Sequence, residues 1–226
     1  MSFSIVGATS AVGVESGAIA ASPLHTVNKP QPYGTLGHYQ VAVTTGAIAA
    51  GMAANGEVFQ FRWGDATRFA LIQKITISGM RATTAFAAGA IDIKCTFARS
   101  FTVSGTGGTA LTLTGDNQAL RTNMGTTLAT DIRIATTAAL GAGTKTLDTQ
   151  DMGAITTHSS GGAGSATPII GSIYLPMTDI FENDVTDGEH PIVLAQNEGV
   201  VVRLTVPATG VWNIGVVCKW CELTAF

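Results

Sequence analysis

The residues of this chain best suited to chemistry begin with its cysteines. Cys218 and Cys221 have the C-x-x-C spacing of redox pairs and zinc sites, and Cys95 is the third cysteine. The pair falls in an alternating strand pattern, where positions i and i+3 face opposite ways, whereas a redox pair needs a helix N-terminus. No second C-x-x-C or histidine pair is present to complete a zinc site. We therefore predict that these cysteines are small buried hydrophobic side chains.

The histidines and glycines offer no recognisable site. Each histidine falls in a predicted loop or in the N-terminal arm, and no two have metal-ligand spacing, so we expect solvated side chains: His25, His38, His158 and His190. The segment 105–108 (Gly-Thr-Gly-Gly) lacks the last glycine and the following helix of a dinucleotide-binding fingerprint. It predicts a turn between Val103 and Leu111.

A short acidic stretch is the best candidate for a cation site. Carboxylates crowded on a loop can hold Ca²⁺, but their spacing does not match the twelve-residue calcium loop. We interpret the stretch as a solvated acidic loop and predict no bound metal; its members are Asp179, Glu182, Asp184, Asp187 and Glu189.

The densest mixture of charge and aromatic residues is Arg62, Trp63, Asp65 and Arg68. An exposed tryptophan with polar neighbours could stack on a sugar ring, which leaves carbohydrate binding as one hypothesis. A tryptophan at a strand end more often seals a core edge, and we favour that interpretation. Since no nucleophile, base and orienting group converge, we predict no catalytic residues, no cofactor and no enzymatic activity.

The elements that must position these residues are predicted to be strands. Residues 91–97 alternate apolar and polar without exception, and residues 75–77, 200–206 and 212–220 show the same period of two. Asn55-Gly56 predicts a hairpin between Val41–Ile48 and Val58–Trp63. Leu120, Met124 and Leu128 leave a short helix within 118–130 as an alternative, and Ser159–Gly164 is predicted to be a loop.

These patterns predict an all-β protein with two parts. Residues 40–226 are expected to form an antiparallel β-sandwich of about eight strands, closer to a jelly roll than to an immunoglobulin domain. Residues 1–39 are predicted to form an extended N-terminal arm, because Pro23, Pro30 and Pro32 disfavour a helix there. A helix at 11–21 is the competing interpretation, weakened by Gly13 and Gly17.

Composition excludes several classes of function. Only 12% of the 226 residues are charged, about half of the usual ~25%, and the net charge of −3 leaves no basic surface for nucleic acid. No run of ~18 strongly apolar residues predicts a membrane span. The first basic residue is Lys29, so no secretory signal is recognised and synthesis in the cytoplasm is expected. A weakly charged surface suits a subunit packed against neighbours.

Several segments within residues 57–226 resemble virion proteins of tailed bacteriophages. They are Phe97–Thr102, Gly107–Asn117, Leu120–Met124, Asp131–Ile134, Gly143–Asp148 and Val206–Trp212. The resemblance implies a structural subunit of the virion, made in the host bacterial cytoplasm, with no catalytic residues. Its leading interpretation is a capsid decoration (cement) protein that bridges subunits of the major capsid protein. A tail, fibre or head–tail component is the alternative, and a module that binds host surface glycans comes from a different class.

Two features predict association. Val211, Val217 and Leu223 lie opposite the Trp212–Trp220 face of the last strand and need a second cover, so we expect a homotrimer that matches capsid threefold axes. The arm carries only two charged residues, Glu15 and Lys29, and is expected to dock on a neighbouring subunit or on the capsid surface.

Overall fold

The computed structural model describes residues 4–7, 10–13, 36–48, 52–82, 88–115, 117–121, 123–159, 177–183 and 190–225. Strands are the only regular elements in these ranges, and none of the described segments is a helix that could cross a membrane. The strands are β1 (Ser4–Gly7), β2 (Ser10–Gly13), β3 (Gly37–Thr44), β4 (Gly56–Trp63), β5 (Phe69–Ala82), β6 (Gly89–Val103), β7 (Thr109–Ala110), β8 (Ala129–Ile134), β9 (Thr144–Leu147), β10 (Gly153–Ser159), β11 (Thr178–Glu182), β12 (Ile192–Leu194), β13 (Glu198–Thr205) and β14 (Trp212–Leu223).

Two antiparallel sheets pack face to face, so the protein is an all-β antiparallel sandwich as predicted. The five-stranded sheet has the order β11-β5-β14-β3, with β12 also paired to β5. The seven-stranded sheet has the order β10-β6-β13-β4-β8-β7, with β9 also paired to β6. Successive long strands cross between the sheets, since β3, β5 and β14 belong to the first and β4, β6 and β13 to the second.

The core lies between the sheets and follows the predicted alternation. On β14, five alternate side chains are at most 1% exposed: Trp212, Ile214, Val216, Cys218 and Trp220. The Trp220 ring stacks on Tyr39 of β3 at 5.5 Å and meets Phe61 of β4 edge-on at 5.1 Å. Each fully buried side chain of this size contributes about 1.5–3 kcal/mol, so this seam between the sheets is a major source of stability.

Strand β6 confirms the clearest sequence prediction. Ile91, Ile93 and Cys95 are fully buried, and Asp92 and Lys94 between them are partly exposed. Thr96 departs from the pattern, because its hydroxyl is buried in a hydrogen bond to Asp151.

The predicted hairpin at Asn55-Gly56 is wrong in its partner. Asn55 does adopt a left-handed conformation (φ 58°), and Gly56 N–H donates to the Ala53 carbonyl at 3.0 Å. However, β3 pairs with β14 and β4 pairs with β13 and β8, so this turn joins the two sheets. Turn chemistry sets the local reversal, whereas the pairing partner is chosen by contacts distant in sequence.

The alternative helix within 118–130 is also wrong. Residues 118–120 run beside β3, with Gln40 N–H donating to the Gln118 carbonyl and Leu120 N–H donating to the His38 carbonyl. Strand β8 then begins at Ala129. The spacing of four residues between apolar side chains is therefore a coincidence in a segment whose described residues form turns and irregular backbone before β8.

The predicted arm contains two short strands. β1 and β2 pair with each other and form a separate two-stranded sheet. This excludes the helix alternative at residues 11–13, and the rest of 11–21, together with the three prolines, lies outside the described residues. β3 begins at Gly37, inside the range predicted for the arm.

Candidate functional site

The two cysteines of the C-x-x-C segment lie on opposite faces of β14, as predicted. Cys218 is fully buried in the main core, whereas Cys221 is 1% exposed in a small cluster with Leu71 and Leu223 on the other face. Burial raises the pKa of the Cys218 thiol, and it raises the pKa of Cys95 to about 12. A thiol held in its protonated form is a weak nucleophile and metal ligand, so both residues contribute packing.

The prediction that every histidine lies in a loop or arm is wrong for two of them. His38 belongs to β3, where it is partly buried, and His158 belongs to β10, where it is exposed. His190 is exposed outside the strands, and His25 lies outside the described residues.

The predicted acidic loop is wrong for two of its members, because Asp179 and Glu182 belong to strand β11. Both bind Lys74 of β5, at 2.6 and 2.9 Å, and Thr76 also donates to Asp179. Burial alone would raise the pKa of Asp179, but the hydrogen bonds from Lys74 and Thr76 lower it overall. Asp184, Asp187 and Glu189 lie outside the described residues, and no metal-binding group of three or more His, Cys, Asp or Glu occurs within those that are described.

Trp63 seals the core edge, which is the interpretation favoured from the sequence. Its side chain is fully buried and its indole N–H donates to the Arg68 carbonyl at 2.9 Å. Arg62 binds Ser104, while Asp65 pairs with Arg68 at 3.7 Å. Trp63 therefore presents no free ring face on which a sugar could stack.

A buried acid that the sequence analysis missed is Glu222, at the end of β14. Its fully buried carboxyl accepts hydrogen bonds from the Thr127 hydroxyl at 2.5 Å, from Leu128 N–H at 3.0 Å and from the Trp220 indole at 3.3 Å. Desolvation is the main reason that the pKa of Glu222 is raised. Burial, and secondarily the charge of Glu222, raises the pKa of the nearby Tyr39 to about 12. These contacts tie the segment before β8 to the main core.

A second missed cluster joins Glu57, Gln60 and Lys145. The Lys145 side chain is 2% exposed, and its Nζ lies 2.9 Å from Oε2 of Glu57. Gln60, 1% exposed, donates through Nε2 to the same oxygen at 2.5 Å and to the Gly141 carbonyl at 3.0 Å. Its Oε1 accepts from Gly105 N–H at 2.9 Å. The sequence alone could not reveal this cluster, because Lys145 lies in β9, whose sequence is a short polar segment with no sign that its lysine is buried.

A third cluster lies on the outer side of β6 and β13. Arg203 donates to Thr96 and pairs with Asp151, and Lys94 lies 3.6 Å from the same carboxylate. Burial would raise the pKa of Asp151, but the hydrogen bonds from Thr96 and Arg203 lower it overall. The cluster links β6, β13 and the turn before β10, which is a structural role.

Most of the basic residues of this weakly charged chain form ion pairs within the protein. Seven of the twelve Lys and Arg residues form ion pairs within the described parts of the chain: Arg68, Lys74, Lys94, Arg99, Arg133, Lys145 and Arg203. Each of these positive charges therefore has a negative charge within 4 Å, which leaves few unpaired charges among these residues.

The apolar outer face of β14 is smaller than predicted. Leu223 is 2% exposed within the cluster of Leu71 and Cys221, so it needs no further cover, whereas Val211 and Val217 are partly exposed. The large apolar side chains that are exposed, among the described residues, are Val103, Leu120 and Met177.

The fold and these clusters define a β-sandwich whose described polar groups mainly hold its own strands together. No protein-family model matches the chain, and neither does a curated protein nor a solved structure.

Proposed function

We propose that this protein is a structural subunit of a bacteriophage virion, and that it decorates the capsid by bridging subunits of the major capsid protein. The observation that carries the proposal is the internal pairing of its few charges on an antiparallel β-sandwich. The role requires many identical contacts and no chemistry. The segments between Phe97 and Trp212 that resemble tailed-phage virion proteins support the same role.

The strand order supports this assignment. Eight strands, β3, β4, β5, β6, β10, β11, β13 and β14, give the orders β11-β5-β14-β3 and β10-β6-β13-β4. We assign this connectivity to a jelly roll, with β7–β9 inserted between its fourth and fifth strands. Jelly rolls occur in viral capsid proteins and in lectins, so the fold agrees with the leading role and leaves sugar binding as a separate hypothesis.

The weak surface charge favours association for a physical reason. Docking removes water from both surfaces, and each unpaired charge that becomes buried costs several kcal/mol. Here Arg99 is held by Asp148 and Glu198, and Lys74 by Asp179 and Glu182, so these side chains carry their own counter-charges into an interface. Such a surface binds through shape and small apolar contacts.

The arm is proposed to supply the bridge. Its strands β1 and β2 form a sheet separate from the sandwich, which suits a segment that docks on a neighbouring subunit or on the capsid. Strand addition to an exposed sheet edge would give continuous backbone hydrogen bonds. The contact must be long, because each ordered residue costs about 1–2 kcal/mol of backbone entropy.

Binding to purified particles tests the proposal. The informative truncation removes residues 1–35, since Tyr39 is fully buried and stacks on Trp220, and removal of β3 would damage the core. We expect the full chain to co-sediment with decoration-free capsids in many copies and the truncated chain to bind at least tenfold more weakly while remaining folded. Equal binding by both chains would contradict the docking role of the arm.

Copy number separates the leading role from its alternatives. Imaging of labelled virions should show copies distributed over the capsid shell, whereas a few copies at the tail would identify a tail, fibre or head–tail component. For glycan binding, a Trp63→Ala variant is uninformative, because Trp63 is a core residue. Binding of the intact chain to a glycan array, without binding to capsids, would favour the carbohydrate-binding hypothesis.

A further inference from the structure

We propose that Lys145 and Gln60 form an intramolecular isopeptide bond, with Glu57 as the group that transfers the proton. All three side chains are at least nine-tenths buried, and the two nitrogens contact the same carboxylate oxygen, Oε2 of Glu57. The inference is independent of the proposed virion role.

The nucleophile is the Lys145 amine. Its Nζ lies 2.9 Å from Glu57 Oε2, also contacts the Ala142 carbonyl, and stands 4.7 Å from the centre of the Phe101 ring. Transfer of one proton along the hydrogen bond to Glu57 leaves a neutral amine, which is the reactive form. The Lys145 side chain is 2% exposed, so little water can compete for this proton.

The electrophile is the Gln60 side-chain carbonyl. Gly105 N–H donates to Oε1 at 2.9 Å, where negative charge develops when the carbonyl carbon is attacked. Nε2, the leaving nitrogen, donates to Glu57 Oε2 at 2.5 Å. A donor on the oxygen and a proton carrier on the leaving group are the two aids that amide exchange requires.

The reaction balances without any other reagent. Lys145 Nζ forms a bond to Gln60 Cδ, and the bond between Cδ and Nε2 breaks. Glu57 takes one proton from the Lys145 ammonium group and delivers it to Nε2, which leaves as ammonia. The Lys145 nitrogen loses a second proton when the new amide forms, and the released ammonia takes up this proton to give an ammonium ion. Holding the two reactants against one carboxylate oxygen replaces a bimolecular reaction with an intramolecular one.

The product would connect strand β4 to strand β9 covalently. β9 pairs with β6 through a few residues, and the bond would close a chain loop from residue 60 to residue 145 that contains β5 to β8. Closing a long loop stabilises the folded state chiefly by restricting the unfolded chain.

Intact-mass spectrometry of the folded full chain, after incubation at neutral pH, tests the proposal. We expect a mass about 17 Da below that of the sequence, which is the loss of one ammonia in the amide exchange. Tandem mass spectrometry of the digest should show one branched peptide containing both Gln60 and Lys145. A full sequence mass would overturn the proposal.

Matched variants assign the chemistry. Lys145→Arg retains the positive charge but has no amine, and Glu57→Gln retains the shape but removes the proton carrier, so both should have the full mass. Lys94→Arg, at a lysine paired with Asp151, should keep the deficit. A deficit that maps to a succinimide at Asn55-Gly56, or a loss of water that joins Lys145 to Glu57, would contradict the assignment.

Discussion

At the scale of single residues, burial reverses what side-chain type suggests. Glu222 and Lys145 read as surface charges in the sequence, yet the first is fully buried and the side chain of the second is 2% exposed. Each is tolerated because hydrogen-bond donors or an opposite charge replace the lost water. Trp63 shows the converse, since its polar neighbours suggest a binding platform while its ring lies in the core.

Replacement of Glu222 tests the buried carboxyl. Glu222→Ala should lower the free energy of unfolding by about 2–4 kcal/mol, because the donors from Thr127, Leu128 and Trp220 lose their acceptor in a dry environment. Chemical denaturation at neutral pH measures this difference. A loss below 0.5 kcal/mol, typical of surface sites, would show that the hydrogen bonds are replaced by water.

The pH dependence of the same site has a defined sign. The folded pKa of Glu222 is raised above its ordinary value of 4.5, so folding takes up a proton between these two values. The corresponding stability is fully present below 4.5 and is lost as the pH rises through the folded pKa. We expect wild type to lose stability relative to Glu222→Gln as the pH rises through this window.

Asp179 should show a pH dependence of the opposite sign and is the control for Glu222. Its pKa is lowered by Lys74 and Thr76 against the effect of burial, so its contribution is present above the ordinary pKa and is lost in acid. The difference between wild type and Asp179→Asn should therefore shrink as the pH falls. Slopes of the same sign in both comparisons would contradict the two assignments.

At the scale of elements, one glycine controls how the sheets meet at an edge. Gly153 starts β10 opposite Cys95 of β6, and a Cβ built there would overlap the carbonyl oxygen of Ile180 in β11. β10 and β11 belong to different sheets, so the absence of a side chain lets the two sheet edges approach. The bulge in β11 at this point accommodates the same contact.

Gly153→Ala should therefore destabilise the sandwich by about 1–3 kcal/mol, the cost of overpacking at a contact that can only separate the strands. Gly125→Ala is the matched control, because a Cβ there meets nothing within 4 Å and its cost should stay below about 1 kcal/mol. Denaturant midpoints at unchanged m-value provide the comparison. Equal midpoints for the two variants would show that β10 and β11 can move apart freely.

At the scale of the whole molecule, the internal pairing of charge makes self-association the main expectation. We predict a homotrimer in solution, with the partly exposed Val217 on the outer face of β14 at or near the contact. Sedimentation at micromolar concentration should give three times the 23.1 kDa chain mass. Val217→Glu should shift the distribution toward one chain, whereas Thr102→Glu, exposed on the seven-stranded sheet, should not. A single-chain mass for the wild type would refute the trimer.

The sequence by itself determined the all-β class and the positions of the main strands. Alternation with a period of two is a local property, and it correctly identified the buried faces of 91–97 and 212–220. The same periodicity placed Cys218 and Cys221 on opposite faces and thereby predicted that they would not act together.

Only the tertiary structure decided which strands pair and which polar groups meet. The turn at Asn55 has the chemistry of a hairpin, yet β3 joins β14, because apolar packing between strands distant in sequence outweighs one local turn. Glu57 and Gln60 meet Lys145 for the same reason: strand pairing in the seven-stranded sheet brings together residues that are far apart in the chain. Local pattern specifies the face on which a side chain lies, and long-range packing specifies its neighbours.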